Sequence, residues 1–201
     1  MLSFDIETTG LNKHRDRITC ACAYDPDRNI SAKFTFPVDA PASEPEDFMR
    51  LLDEAPVLCA FNGVYFDVPF ICAHWKVDPS RAAQWMRKLV DVFHMCKQAI
   101  GQTFSLNVLL SANDLGSKNG NGADAITLAR EGKWEELATY CLYDCIKTRE
   151  VTVLPVICLP PPRIEGGTRW VLRGLRFDVC TPPSDVTTHD TPNVTTEGTQ
   201  Q

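Results

Sequence analysis

Three short apolar segments lie within the first 36 residues, and they constrain the fold more than any other feature. Leu2, Phe4 and Ile6 alternate with Ser3, Asp5 and Glu7, Ile18 to Tyr24 forms a second apolar run, and Ile30 to Phe36 a third. Alternation with a period of two marks strands. The links are Thr8 to Arg17, which begins as a Thr-Thr-Gly turn, and a short one holding the strong turn signal Asp25-Pro26-Asp27. Such short spacing implies antiparallel neighbours. After Pro37 the pattern changes. Glu46, Asp47, Phe48, Leu51 and Leu52 predict a helix capped by Ser43, and Val57 to Phe61 a short strand ending at Asn62-Gly63. A helix is expected from Asp67, with Pro69 tolerated in its first turn, then a helix over Arg81 to Leu89 and a strand over Leu89 to Val92. Ser105 to Leu110 opens a further helix, Lys118 to Gly122 reads as a flexible loop, and a long helix spans about Trp134 to Val153. Leu137, Cys141, Cys145 and Ile146 mark the apolar face of that last helix. A meander followed by strands alternating with helices predicts an α/β fold, a mixed sheet covered by helices.

The 201 residues suffice for one domain with a proper core, expected over residues 1–155. Pro155 and the Pro160-Pro161-Pro162 run end it; 156–180 reads as a Pro-rich linker with a small hairpin over Arg169 to Val179. Residues 181–201 are rich in Thr, Pro, Asp and Asn without Lys or Arg, so a disordered tail is expected. The spacing of Arg169, Arg173 and Arg176 fits a plain surface or a docking face. Nine cysteines include no CxxC pair, and only four histidines exist to complete a zinc site. They are read as reduced core residues of an intracellular protein, cytoplasmic or nuclear. No apolar run approaches the ~20 residues of a membrane helix, and no leader peptide is expected from the start of the chain. The net charge of −6 argues against holding nucleic acid by bulk electrostatics and favours a short substrate footprint.

Three acidic segments each place a carboxylate at the end of an apolar element. In Phe4-Asp5-Ile6-Glu7-Thr8-Thr9-Gly10, the period of two sets Asp5 and Glu7 side by side. A divalent cation between them would relieve their repulsion; an edge strand with a solvated acidic face is the ordinary alternative. In Asn62 to Phe70, Asp67 follows a strand and precedes a helix, where an N-cap is the ordinary reading. In Tyr140-Cys141-Leu142-Tyr143-Asp144, a spacing of four places Tyr140 and Asp144 on one helix face beside the apolar positions. A buried mid-helix Asp needs a partner, either a cation or an Arg or Lys.

Taken in order, these segments resemble the three exonuclease motifs of the DEDD superfamily in its tyrosine branch. They are most similar to the proofreading exonuclease domain of family B DNA polymerases and its free-standing relatives. Phe61-Asn62-Gly63 through Ile71 resembles the second motif, Thr103 to Leu109 the helix start after it, and Tyr140-Cys141 with Asp144 and Thr148 the third. The likeness covers roughly residues 1–153. It implies a ribonuclease H-like sheet and a 3′→5′ exonuclease releasing nucleoside monophosphates from single-stranded 3′ ends, DNA favoured. It further implies two Mg²⁺ or Mn²⁺ ions, with Asp5 bridging, Glu7 and Asp144 completing the first and Asp67 holding the second. A phenol with a reference pKa near ~10 is a poor base, so Tyr140 is expected to orient the attacking water. Thr8, Asn62, Phe66 and Lys118 are the expected substrate contacts, with ordinary core packing the alternative for Phe66 and a solvated loop lysine that for Lys118. An exoribonuclease of the same fold, or a non-catalytic nucleic-acid or partner-binding module, remains an alternative. Any polymerase or repair partner would be a separate chain.

Overall fold

The computed structural model describes residues 1–39, 41, 43–117, 122–160 and 174–175. Strands β1 (Leu2–Thr8), β2 (Ile18–Asp25) and β3 (Ile30–Thr35) form the expected antiparallel meander. Strands β4 (Leu58–Ala60) and β5 (Leu89–Asp91) add in parallel on the other side of β1, giving the order β3-β2-β1-β4-β5. Among the described residues, seven α-helices flank this mixed sheet: α1 (Pro45–Glu54), α2 (Asp67–Trp75), α3 (Pro79–Arg87), α4 (Val92–Ile100), α5 (Leu106–Ala112), α6 (Gly122–Arg130) and α7 (Trp134–Thr152).

The β1 pleat sorts its side chains between two environments. Leu2, Phe4 and Ile6 pack with Phe48 and Leu52 of α1, Phe70 and Ile71 of α2, and Trp85 of α3. Each large apolar side chain buried this way stabilises the fold by about 1.5–3 kcal/mol. Ser3, Asp5 and Glu7 point the other way, toward α7. There the Ser3 hydroxyl donates to the Cys145 carbonyl at 2.7 Å, and Cys20 and Cys22 of β2 cluster with Leu137, Cys141 and Cys145.

Several local expectations need correction. Ser43 does not cap α1; Glu44 holds that position without a side-chain bond, and Ser43 Oγ accepts the Thr35 N–H at 3.1 Å, closing the end of β3. The third helix begins at Pro79, before Arg81, because Asp78 caps it by accepting the Ser80 N–H. Helices α4 and α6 have no counterpart in the sequence reading. Helix α4 follows β5 without a loop, because Asp91 both ends the strand and accepts the His94 N–H as N-cap.

Past α7, Ile157 and Leu159 pack with Val92, Leu109 and Leu110. Asn113 binds the Cys158 backbone in both directions, at 2.9 and 2.7 Å. There β6 (Ile157–Cys158) pairs antiparallel with β7 (Gly174–Leu175). Those two β7 residues are the described part of the segment expected to form a hairpin. Arg169, Arg173, Arg176, the tail 181–201 and the loop residues 118–121 lie outside the described residues. The eight described cysteines are free thiols, and no described helix is long and apolar enough to cross a membrane.

Candidate active site

Asp5 and Glu7 are partly buried on the α7 face of β1. Across the ladder from them stand Cys22 and Cys20, small uncharged thiols in place of bulky side chains. Cys141 of α7 reaches down between the elements, its thiol 3.4 Å from the Asp5 carbonyl and 3.6 Å from Asp5 Oδ2. Carboxylate oxygens of Asp5 and Glu7 and the Cys141 sulfur all lie within 4.8 Å of one another.

Asp67 arrives from the other edge. β4 pairs with β1 only at Leu2 and Ser3, so the Ile6 N–H extends past the short strand. Asp67 Oδ1 accepts it at 3.1 Å, taking the place of a ladder partner. This bond fixes the Asp67 carboxylate against the backbone between Asp5 and Glu7. It also replaces the N-cap reading, since Phe66 is the N-cap and Asp67 the first helical residue. Burial, with the negative charges of Asp91 and Asp144 adding to it and the Ile6 N–H opposing, raises the Asp67 carboxyl to about 7. A carboxylate so placed gains strongly from a nearby cation.

Asp144 lies in the buried stripe of α7 with Cys141, Cys145 and Thr148. Its charge acts on Asp67, and together with that of Asp5 on the Cys145 thiol, which burial above all pushes up to about 12. The charge of Asp144 thus reaches Asp67 on one side and, with that of Asp5, Cys145 on the other. Tyr140, one turn before Asp144, is half-buried and lines a surface groove with Leu128, Thr139 and Tyr143.

One residue of this region escaped the sequence reading. Asp91, 4% exposed, accepts the N–H groups of Asn62 at 3.1 Å, Val64 at 2.8 Å and His94 at 2.9 Å. It anchors the loop that delivers Asp67. Asn62 adopts a left-handed backbone at φ 75°, and its carbonyl accepts from the Tyr65 and Phe66 N–H groups. Gly63 is close-packed there: a Cβ would meet that of Ala60 at 2.6 Å. The available signal was a carboxylate between a short apolar strand and a helix, the same signal that marked Asp67.

The four expected substrate residues fare differently. Phe66 is half-buried, its ring 5.4 Å from that of Phe70. Asn62 stands in the Asp91-anchored loop. The Thr8 hydroxyl donates to the Gly10 carbonyl at 2.6 Å, which holds the turn after β1. Lys118 lies outside the described residues.

The sequence profile of the RNase H superfamily (RNase_H_2) matches residues 2–154. This chain belongs to the RNase H superfamily. No curated protein matches the sequence. Among solved structures, a nuclease in its apo form superposes with a TM-score of 0.53 at 13% identity, over 74% of this chain and 68% of that one. A family B DNA polymerase from the hyperthermophilic archaeon Pyrobaculum calidifontis superposes with a TM-score of 0.54 at 14% identity, again over 74% of this chain. The match spans 23% of the polymerase. At such identities the likeness is one of fold. Membership of the RNase H superfamily supports nuclease activity in general, with nucleic acid as the substrate class and divalent cations as the usual cofactors.

Proposed function

We propose that the chain is a 3′→5′ exonuclease acting on single-stranded nucleic acid, DNA favoured, with residues 1–155 as the catalytic unit. The observation that carries this reading is the Asp67–Ile6 hydrogen bond. It brings a carboxylate from α2 to the backbone between Asp5 and Glu7, where Asp144 also acts on it.

Hard carboxylate oxygens suit Mg²⁺ or Mn²⁺, and the crowded negative charge fits a pair of them. Asp5, Glu7 and Asp144 would hold one ion, with Asp5 shared and Asp67 at the second. Bound there, the cations supply activation of water and neutralisation of the phosphate. Tyr140, beside Asp144 on α7, directs the water by hydrogen bonding. Asn62 and Phe66 receive the terminal nucleotide, Phe66 by stacking, with Thr8 and Lys118 as further contacts. Polarity and release of nucleoside monophosphates rest on the ordered resemblance of the three motifs. A separate polymerase or repair enzyme is the partner this activity would serve.

The test is incubation of 5′-labelled single-stranded DNA and RNA of equal length with Mg²⁺, Mn²⁺ or EDTA, with Asp144→Ala alongside. A metal-dependent ladder shortening from the 3′ end and absent from the variant is expected. Folded protein that cuts neither strand with either metal would sink the catalytic reading.

A further inference from the structure

A cleft of about 480 Å³ opens beside the end of β1, where the β1–β2 turn, the segment after β3 and the α6–α7 corner meet. Its walls are apolar at Phe36, Ile126 and Trp134, and two arginines, Arg17 and Arg130, stand at its surface. Asp39 is the one carboxylate among the described lining residues, so two cations face one anion there on a chain of net charge −6. Thr19 also lines it. That side chain is 5% exposed, and its hydroxyl has no hydrogen-bond partner among the described residues. Buried hydroxyls are nearly always paired, and this one lies sealed behind the cleft wall.

The cleft lies near the carboxylate-bearing end of β1. Thr9 lines it and lies two residues after Glu7, so their Cα atoms are separated by no more than about 7.6 Å, two trans-peptide steps. Aromatic and apolar walls accept a base by its π-face. Guanidinium groups bind phosphate oxygens through paired N–H donors. The carboxylate cluster, by contrast, repels phosphate unless cations are bound.

We propose that this cleft is a nucleotide subsite that takes one nucleoside phosphate unit of a bound single strand. The base packs against Phe36 and Trp134, and Arg17 and Arg130 hold the phosphate. The identity of the ligand as a strand rests on the nuclease reading; the chemistry of the cleft does not. The subsite lets an acidic protein grip its substrate beside the metal site without a broadly basic surface.

Fluorescence anisotropy of a 5′-labelled oligothymidylate, in EDTA to remove the contribution of cations, tests the subsite directly. Arg17→Gln/Arg130→Gln is expected to weaken binding by about tenfold or more and to flatten the salt dependence. Asp144→Ala, in the same buffer, is expected to bind no more weakly than wild type. Circular dichroism establishes that each variant is folded. Equal affinities of wild type and the arginine variant, or no binding by wild type, would overturn the proposal. So would arginine-dependent binding of thymidine 5′-monophosphate without any binding of the oligonucleotide, which would make the cleft a mononucleotide site. Arginine-dependent strand binding by a protein that cuts nothing with Mg²⁺ or Mn²⁺ would support the subsite while the exonuclease reading failed.

Discussion

On one face of β1, Leu2, Phe4 and Ile6 are each at most 3% exposed and meet a shell of large side chains. Phe48 lies edge-on to both Phe4 and Trp75, at centroid distances of 6.4 and 6.0 Å. On the other face, Ser3, Asp5 and Glu7 meet α7 across four thiols, a serine bond and Asp144. The first face offers area and close-packed aromatic geometry. The second offers small, soft side chains and like charges held near one another, which oppose folding in the absence of cations. Residues adjacent in sequence thus separate stability from chemistry by the pleat alone.

Asp5→Asn should show the largest effect. Loss of an expected metal ligand should lower kcat/KM by on the order of 10³-fold or more. Relief of carboxylate repulsion should leave the melting temperature unchanged or higher. A variant that melts lower and still cuts would contradict the division between the faces. Phe4→Ala should do the reverse, costing about 3–5 kcal/mol in urea denaturation while the folded fraction keeps its turnover. Asp91→Ala should cost about 2–4 kcal/mol, because it leaves the N–H groups of Asn62, Val64 and His94 without their acceptor. It should also lower activity by releasing the loop that leads to Asp67, so it breaks both faces at once. Retained stability with full activity would show that the loop holds itself.

The smallest effect concerns an ion cluster on the aromatic side, at the surface. Arg81 binds Glu46 at 2.7 Å and Asp53 at 2.6 Å, and the Trp85 indole donates to Asp53 at 2.7 Å. The Arg81 hydrogen bond holds the Glu46 carboxyl below its ordinary value. Burial works to raise Asp53, but the bonds from Arg81 and Trp85 outweigh it and the carboxyl ends lower. Groups with depressed folded values contribute stability above their unfolded values, near ~4, and lose it as pH falls through the folded ones. The urea midpoint should therefore drop as pH falls below about 4, and Arg81→Met should flatten part of that drop. An unchanged profile would assign the acid sensitivity to other carboxylates.

What could be read from the sequence follows the range of the interactions involved. β1 to β3 and the pairing of Asp5 with Glu7 were legible, since a period of two is a local signal. So was the start of α5 at Ser105, whose hydroxyl accepts the Val108 N–H. Ser43 misled because a serine before a helix is as good a partner for the end of a neighbouring strand. Helix α4 was hidden by its junction with β5, where Asp91 serves both elements. The contact of Asp67 with the Ile6 N–H was beyond reach, because it joins residues 61 apart in the chain and depends on where β4 stops. The approach of Cys141 to Asp5 across 136 residues was equally out of reach.

The early end of β4 limits how the sheet can be altered. Extending β4 by another ladder pair toward Ile6 would improve the sheet as a sheet, yet it would evict Asp67 from the backbone it binds. Engineering that lengthens this strand for thermal resistance would therefore dismantle the carboxylate cluster. The safe places to reinforce the protein are β3, at the far edge of the sheet, and the aromatic layer.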